Sequence, residues 1–248
     1  IALFGVRALF LGDAVTFALA ALLFARMSIP TLPSGDAGTG GSTESVRSAV
    51  ESCRYLGVDV LTLYAFSSEN WNRPDEEVSG LMALFDHYIA KERRRVLEND
   101  IRFETIGDRS KLPDSLVTAI DDLEAASADN DEMVLQVAVS YGGREEILAA
   151  CRSFAADAAR GDLDPAEIDE ATFAERLTTE GRPDPDLVVR TSGERRISNF
   201  LLWQIAYSEF YFTDTLWPDF DEYELIDAFY DFDRRERRYG KTGEQLNS

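Results

Sequence analysis

The chain has 248 residues, 45% of them hydrophobic, which suits one large domain or two small ones with a full core and excludes global disorder. Its 46 acidic and 25 basic side chains give a formal charge of −21, which argues against a nucleic-acid partner, since a DNA or RNA groove needs a broad basic surface. Two cysteines, Cys53 and Cys151, are too few for a disulfide scaffold and lie in no metal-ligand spacing, and the single histidine, His87, excludes most histidine-based metal sites. The acidic excess suits a salt-rich cytoplasm, where self-repulsion is screened, and equally an ordinary acidic protein.

Residues 9–25 are almost wholly apolar, broken by Asp13 and Thr16 and flanked by Arg7 and Arg26. The run exceeds an ordinary strand of about 5–6 residues, so residues 1–30 are expected to be a helical segment that does not supply a strand to the sheet. Three readings stay open for it: a membrane-spanning or membrane-lying helix, a buried or dimer-packed helix, or sequence foreign to the folded domain. A cleaved signal peptide fits poorly, because no basic start or clear cleavage site is present. Residues 31–42, rich in Pro, Gly and Ser, read as a linker, and the glycine-rich run within them lacks the lysine of a phosphate-binding loop.

From residue 43 the elements alternate. Residues 43–56 are a helix candidate capped by Ser42 or Thr43, and residues 58–66 suit a buried parallel strand. Pro74 opens a second helix whose first turn is Asp75-Glu76-Glu77 and which ends near Glu98. A strand over 101–106, a helix over 113–126, a strand over 133–139 and a helix over 145–159 follow. A short strand over 187–189 ends directly at Arg190, a strand-like aromatic run covers 209–212, and a last helix covers 222–235. The class is therefore α/β, a single domain over residues 43–248 with a mostly parallel sheet flanked by helices.

In such sheets ligands bind beyond the carboxyl ends of the strands. Three polar loops follow strands here: Ser67-Ser68-Glu69-Asn70-Trp71-Asn72-Arg73, Ser140-Tyr141-Gly142-Gly143-Arg144, and Arg190-Thr191-Ser192-Gly193-Glu194-Arg195-Arg196-Ile197-Ser198. All three are expected on one edge. Three arginines within seven residues of so acidic a chain suit a phosphate or diphosphate, because guanidinium forks match phosphate oxygens. Glu69, Glu194 and Glu209 are candidate Mg2+ ligands, since a carboxylate beside a diphosphate usually implies a shared metal. The helix over residues 81–89, with Val60, Leu61 and Ala65 on the neighbouring strand, suits either the wall of a long apolar cavity or a plain core.

These motifs carry a resemblance. Tyr64-Ala65-Phe66-Ser67-Ser68-Glu69-Asn70-Trp71-Asn72-Arg73-Pro74, then Tyr141-Gly142-Gly143-Arg144, then the run from Asp186 to Glu209, closing with Phe212 to Phe220, are similar to the cis-prenyltransferase family, which includes the undecaprenyl diphosphate synthases. The resemblance implies a mostly parallel six-stranded sheet, its first strand missing or replaced, and a homodimer. It implies Mg2+-dependent condensation of isopentenyl diphosphate with an allylic diphosphate such as farnesyl diphosphate, giving a polyprenyl diphosphate. By that resemblance Arg190, Arg196, Ile197 and Ser198 hold isopentenyl diphosphate, and Asn70 assists proton removal. Ser67, Ser68, Glu69, Trp71 and Arg73 place the allylic substrate. Ala65, Leu81, Leu84, Phe85 and Met133 line a tunnel, and Glu209 helps place Mg2+ from the partner subunit's side. The implied location is the cytoplasm, peripheral to the membrane for product release.

The chain departs from the family at its start. The family opens with a strand, an Asp-Gly-Asn-Gly-Arg-Trp phosphate loop and a Gly-His-Arg segment, none of which occurs here; the family pattern resumes at Ser45, Val46 and Arg47. The aspartate that grips Mg2+ and the allylic diphosphate has no counterpart by motif, and Asp13 and Asp36 match it by residue type alone. The alternative reading is a catalytically impaired member acting as a diphosphate-binding or partner subunit.

Overall fold

The computed structural model describes residues 8–12 and 40–235. Six strands, β1 (Ala8–Gly12), β2 (Val60–Ser67), β3 (Ile101–Ile106), β4 (Met133–Tyr141), β5 (Leu187–Arg190) and β6 (Glu209–Phe212), form one sheet in the order β3–β4–β2–β1–β5–β6. Every neighbouring pair is parallel. Parallel neighbours need crossovers, and helices supply most of them. These are α1 (Gly40–Leu56), α2 (Asp75–Glu98), α3 (Asp114–Ala126), α4 (Gly143–Arg160), the short α5 (Glu170–Ala174) and α6 (Glu222–Asp233).

Local sequence explains the boundaries. Pro74 stands immediately before α2, and the acidic first turn Asp75-Glu76-Glu77 complements the helix dipole. In α3, Leu116, Ile120 and Leu123 recur at one-turn spacing and are buried. The Asp221 carboxylate accepts from the Tyr223 and Glu224 N–H groups and starts α6. β5 is buried along its length and β2 nearly so, as strands covered on both faces must be.

One expectation is overturned. Residues 1–30 were expected to be helical and to give the sheet no strand, yet Ala8–Gly12 is its β1, between β2 and β5. Leu9 stands opposite both Leu61 and Leu187, and Gly12 opposite Arg190. A strand paired on both sides within a parallel sheet needs no polar alternation, so an apolar run alone does not separate it from a helix. The first strand is therefore neither missing nor extra to the domain. Gly40 to Ser42, expected as linker, form the first turn of α1; the rest of residues 1–39 lies outside the described residues. Among the described residues no helix is long and apolar enough to cross a membrane.

The core lies on both faces of the sheet. Leu61, Leu63 and Phe66 of β2 point into a large cluster with α1, α2, α3 and α6, while Tyr64 joins Ile106, Tyr141, Phe200 and Ile205 in a second. Leu63 and Phe66 share a side although three residues apart, because the β2–β4 register shifts at Tyr64 to Ser67. That bulge re-aims the end of β2 where the first polar loop begins.

Candidate functional site

The three polar loops leave the carboxyl ends of β2, β4 and β5, and β1 ends among them at Gly12. The loops touch. The Trp71 indole N–H donates to Ser140 Oγ at 2.9 Å. The Tyr64 hydroxyl donates to the Tyr141 carbonyl at 3.2 Å and reaches the Ser198 carbonyl at 3.5 Å. The Asn199 amide donates to Glu69 at 2.9 Å and to Glu145 at 3.0 Å. The expected convergence on one edge is what the structure shows.

Arg190 ends β5 and is 7% exposed, with Nη2 3.5 Å from Ser198 Oγ. Arg196 is its opposite: its side chain is 66% exposed and, among the described residues, pairs with Glu194, its neighbour two residues back. Such a pair is weak in water, so the guanidinium can exchange Glu194 for an anionic ligand at small cost. Arg190, Arg196 and the half-exposed Ile197 border a small cavity with Tyr64, Phe210 and Phe212. Backbone φ is positive at Ser192, Gly193, Ser198, Asn199 and Leu201, an unusual density of left-handed residues. The buried hydroxyls of Thr191 and Ser192 have no hydrogen-bond partner among the described residues.

The loop after β2 is a short 3-10 turn, Ser68–Asn72. Asn70 is buried, and its side-chain oxygen accepts from the Ser67 N–H at 2.8 Å. Trp71 packs edge-on against Phe66 with ring centroids 5.0 Å apart. Arg73 pairs with Glu77 one helical turn on, at 3.1 Å. Burial pushes the Glu69 carboxyl up, but hydrogen bonds from Asn199, its own backbone N–H, Ser67 and Ser68 outweigh that and hold it below the usual carboxylate range.

Beneath the loops a cavity of about 200 Å³ opens between the sheet and helices α1 and α2. Ala65, Leu81, Leu84 and Phe85, the residues expected to line a tunnel, line this cavity. Met133 does not: Leu135, Val137 and Val139 form the β4 wall, and Met133, at the amino end of that strand, is 1% exposed in the packed core. Val60 and Leu61 likewise belong to the core rather than the wall. The helix α2 stripe is thus partly a cavity wall, which periodicity could not distinguish from core.

Glu209 opens β6 opposite Leu187, three residues back along the sheet from the Arg190–Phe212 pair. Its carboxylate accepts from Arg235 at 2.9 Å. Within one chain it does not meet the polar loops. No cluster of three or more His, Cys, Asp or Glu side chains able to hold a metal occurs among the described residues.

Sequence reasoning missed two features. Asn199 ties the loops together, a role visible only once the backbone is known. Glu146, in the first turn of α4, is buried and accepts from the Tyr141 hydroxyl at 2.6 Å, Gln204 at 3.1 Å and the Thr178 N–H at 2.8 Å. Burial, then the Glu146 carboxylate, pushes the Tyr141 phenol up, so it stays a neutral donor. An acidic residue in a helix's first turn looks like ordinary dipole compensation, so the sequence hid this one.

Comparison with known proteins agrees with this geometry. The family described as "Putative undecaprenyl diphosphate synthase" matches residues 32–240. An isoprenyl transferase of Chlorobaculum tepidum is 50% identical over 212 residues, 86% of this chain and 80% of that protein. A farnesyl-diphosphate-specific ditrans,polycis-undecaprenyl-diphosphate synthase of Vibrio cholerae is 46% identical over 85% of this chain and 84% of its own length. Lavandulyl diphosphate synthase from Lavandula x intermedia, solved with dimethylallyl diphosphate, superposes with a TM-score of 0.82 at 35% identity, covering 94% of this chain and 97% of that one.

Proposed function

The chain belongs to the undecaprenyl diphosphate synthase family, and from that premise we propose that it condenses isopentenyl diphosphate with an allylic diphosphate, such as farnesyl diphosphate, to give a polyprenyl diphosphate. The observation that carries this reading is the union, at one sheet edge, of an arginine-bearing loop, two further polar loops in contact with it, and an apolar cavity under α2. Two diphosphates need several cations, and a growing hydrocarbon needs a dry tube.

Arg190, Arg196 and Ser198 would grip the isopentenyl diphosphate, with Ile197 covering its short carbon chain. Ser67, Ser68, Glu69, Trp71 and Arg73 would place the allylic diphosphate, its tail entering between Ala65, Leu81, Leu84 and Phe85. The new carbon–carbon bond forms as diphosphate leaves the allylic carbon with the electrons of the broken carbon–oxygen bond, and the isopentenyl unit loses a proton. Asn70 is not a base, and its oxygen is engaged by Ser67. It therefore offers its amino group, which would orient the condensing unit, while the released diphosphate would take up the proton.

Among the described residues the carboxylates form no ready cage, which suits a Mg2+ carried by the substrate diphosphates, because Mg2+ commonly takes one or two carboxylates plus phosphate oxygens and waters. When bound it would neutralise charge on the departing diphosphate. Glu209 would serve it from a neighbouring copy in a homodimer. Asp13, which follows Gly12 in the sequence, lies outside the described residues; by residue type and sequence position alone we propose it for the part of the family's missing aspartate. Product release toward a membrane surface completes the proposal.

Arg196→Ala tests the site. Calorimetry with isopentenyl diphosphate should show a loss of about 2–5 kcal/mol, with little change in melting temperature because the side chain is exposed. Unchanged affinity would remove Arg196 from the site.

A further inference from the structure

Asn199 makes contacts that join three separate loops. Its side-chain Nδ2 donates to Glu69 Oε1 at 2.9 Å, in the loop after β2, and to Glu145 Oε2 at 3.0 Å, in the first turn of α4. Its Oδ1 accepts from the Arg144 N–H at 2.9 Å, and its backbone carbonyl accepts from the Gly143 N–H at 2.7 Å. The last two bonds satisfy donors that a helix leaves unpaired at its start. The residue before α4 is Gly142, which has no side chain to do this, and Asn199 caps the helix from another loop.

The surroundings leave little freedom. A Cβ on Gly142 would stand 2.2 Å from Glu145 Oε2, 2.5 Å from Ser68 Oγ and 2.8 Å from Asn199 Nδ2. A side chain at this position would have to displace all three of these side-chain ends, so glycine leaves them room to meet. Asn199 itself has φ +60° and follows Ser198 at φ +54°. Asparagine tolerates this left-handed conformation better than most residues, which explains the residue type at that position. A helix cap alone would need only the bonds to Gly143 and Arg144. The bonds to Glu69 and Glu145 are in addition to the cap, and the one to Glu69 bridges the loop assigned to the allylic substrate and the loop assigned to isopentenyl diphosphate.

We infer that Asn199 is a positioning residue that fixes the spacing between the two diphosphate-holding loops. The inference rests on the function proposed above. Two reactants held in register gain a large share of their rate from geometry, and a misplacement of about 1 Å can cost on the order of 100-fold. The clasp should therefore matter to the joint placement of both substrates and little to the binding of either alone.

Asn199→Asp separates the two duties. Aspartate keeps an oxygen for the Arg144 N–H and tolerates positive φ, but it cannot donate to Glu69 or Glu145. The variant is expected to keep its fold, to bind isopentenyl diphosphate within about threefold of the parent, and to lose about 100-fold in kcat. Asn199→Gly, which keeps the backbone conformation and the carbonyl bond to Gly143, should show the same division between binding and turnover. A kcat within threefold of the parent in either folded variant would overturn the inference.

Hydrogen exchange supplies a readout that needs no substrate. Both variants should expose the amides of residues 68–70 and 196–199 together, about tenfold faster than in the parent, with the sheet amides unchanged. Unaltered exchange at residues 68–70 would overturn the clasp whether or not the protein is an enzyme. Coupled exchange in a protein that fails to incorporate isopentenyl units would instead count against the proposed function alone.

Discussion

At the scale of single residues, the site depends on contrast between buried and exposed groups of one type. Arg190 is fixed by burial at the end of β5, whereas Arg196 projects from the loop with the exposed Glu194 pair as its weak hold. The first suits a permanent anchor and the second a group that changes partners when an anion arrives. Glu69 is charged for a different reason, the hydrogen bonds around it. Its folded-state pKa lies below that of an unfolded carboxylate, about 4.3. Its contribution to stability is therefore complete above that value and lost as pH falls through the lower folded-state value. Between pH 5 and pH 8 the Glu69 contact should be constant. A carbon-13 carboxyl titration should find Glu69 below the ordinary range, and Asn199→Asp should move it upward; a Glu69 titrating at or above the ordinary value would refute the bonding described.

At the scale of elements, β1 is the instructive case. The sequence placed the polar loops correctly, because each follows a short apolar run ending in polar and glycine residues, a pattern tied to strand ends. It misled at residues 8–12 because the same apolar run continues well past the strand, and period alone cannot mark where a buried strand stops. The topology requires β1, which pairs with β2 on one side and β5 on the other. Phe10→Pro removes an N–H from the middle of this central strand and should lower the melting temperature by about 10 °C or more. An unchanged melting temperature would place Ala8–Gly12 outside the sheet.

Helix α2 poses the reverse difficulty. Leu81, Leu84, Phe85, Tyr88 and Ile89 make one stripe, and any packed helix would show the same. Only the structure reveals a cavity of about 200 Å³ against part of that stripe. Met133 failed as a wall residue because strand position, not residue type, decides which side chains reach the cavity. Ala65→Leu would fill the wall at the carboxyl half of β2, near the polar loops. It should shorten the products while sparing the first condensations, as read by chromatography of radiolabelled chains. An unaltered product distribution from the folded variant would show that the chain grows elsewhere.

At the scale of the whole molecule, a net charge of −21 surrounds a site proposed to bind two polyanions. The Debye length is about 10 Å at 0.1 M salt, so distant carboxylates are largely screened and the local arginines decide binding. Glu209 lies away from its own chain's polar loops and pairs with Arg235, so the metal role proposed for it would have to be played toward a second copy.

The central claim is turnover by this chain, and one measurement addresses it most directly. The full-length protein is incubated with radiolabelled isopentenyl diphosphate, farnesyl diphosphate and Mg2+, and extracted polyprenyl diphosphate is counted for the parent and for Asp13→Asn. The account predicts polyprenyl product from the parent that requires the allylic substrate and Mg2+, and a loss of at least about 100-fold in Asp13→Asn, the order seen when a group stabilising transition-state charge is removed. Absence of product from folded parent protein that still binds isopentenyl diphosphate would contradict it and favour a diphosphate-binding partner subunit.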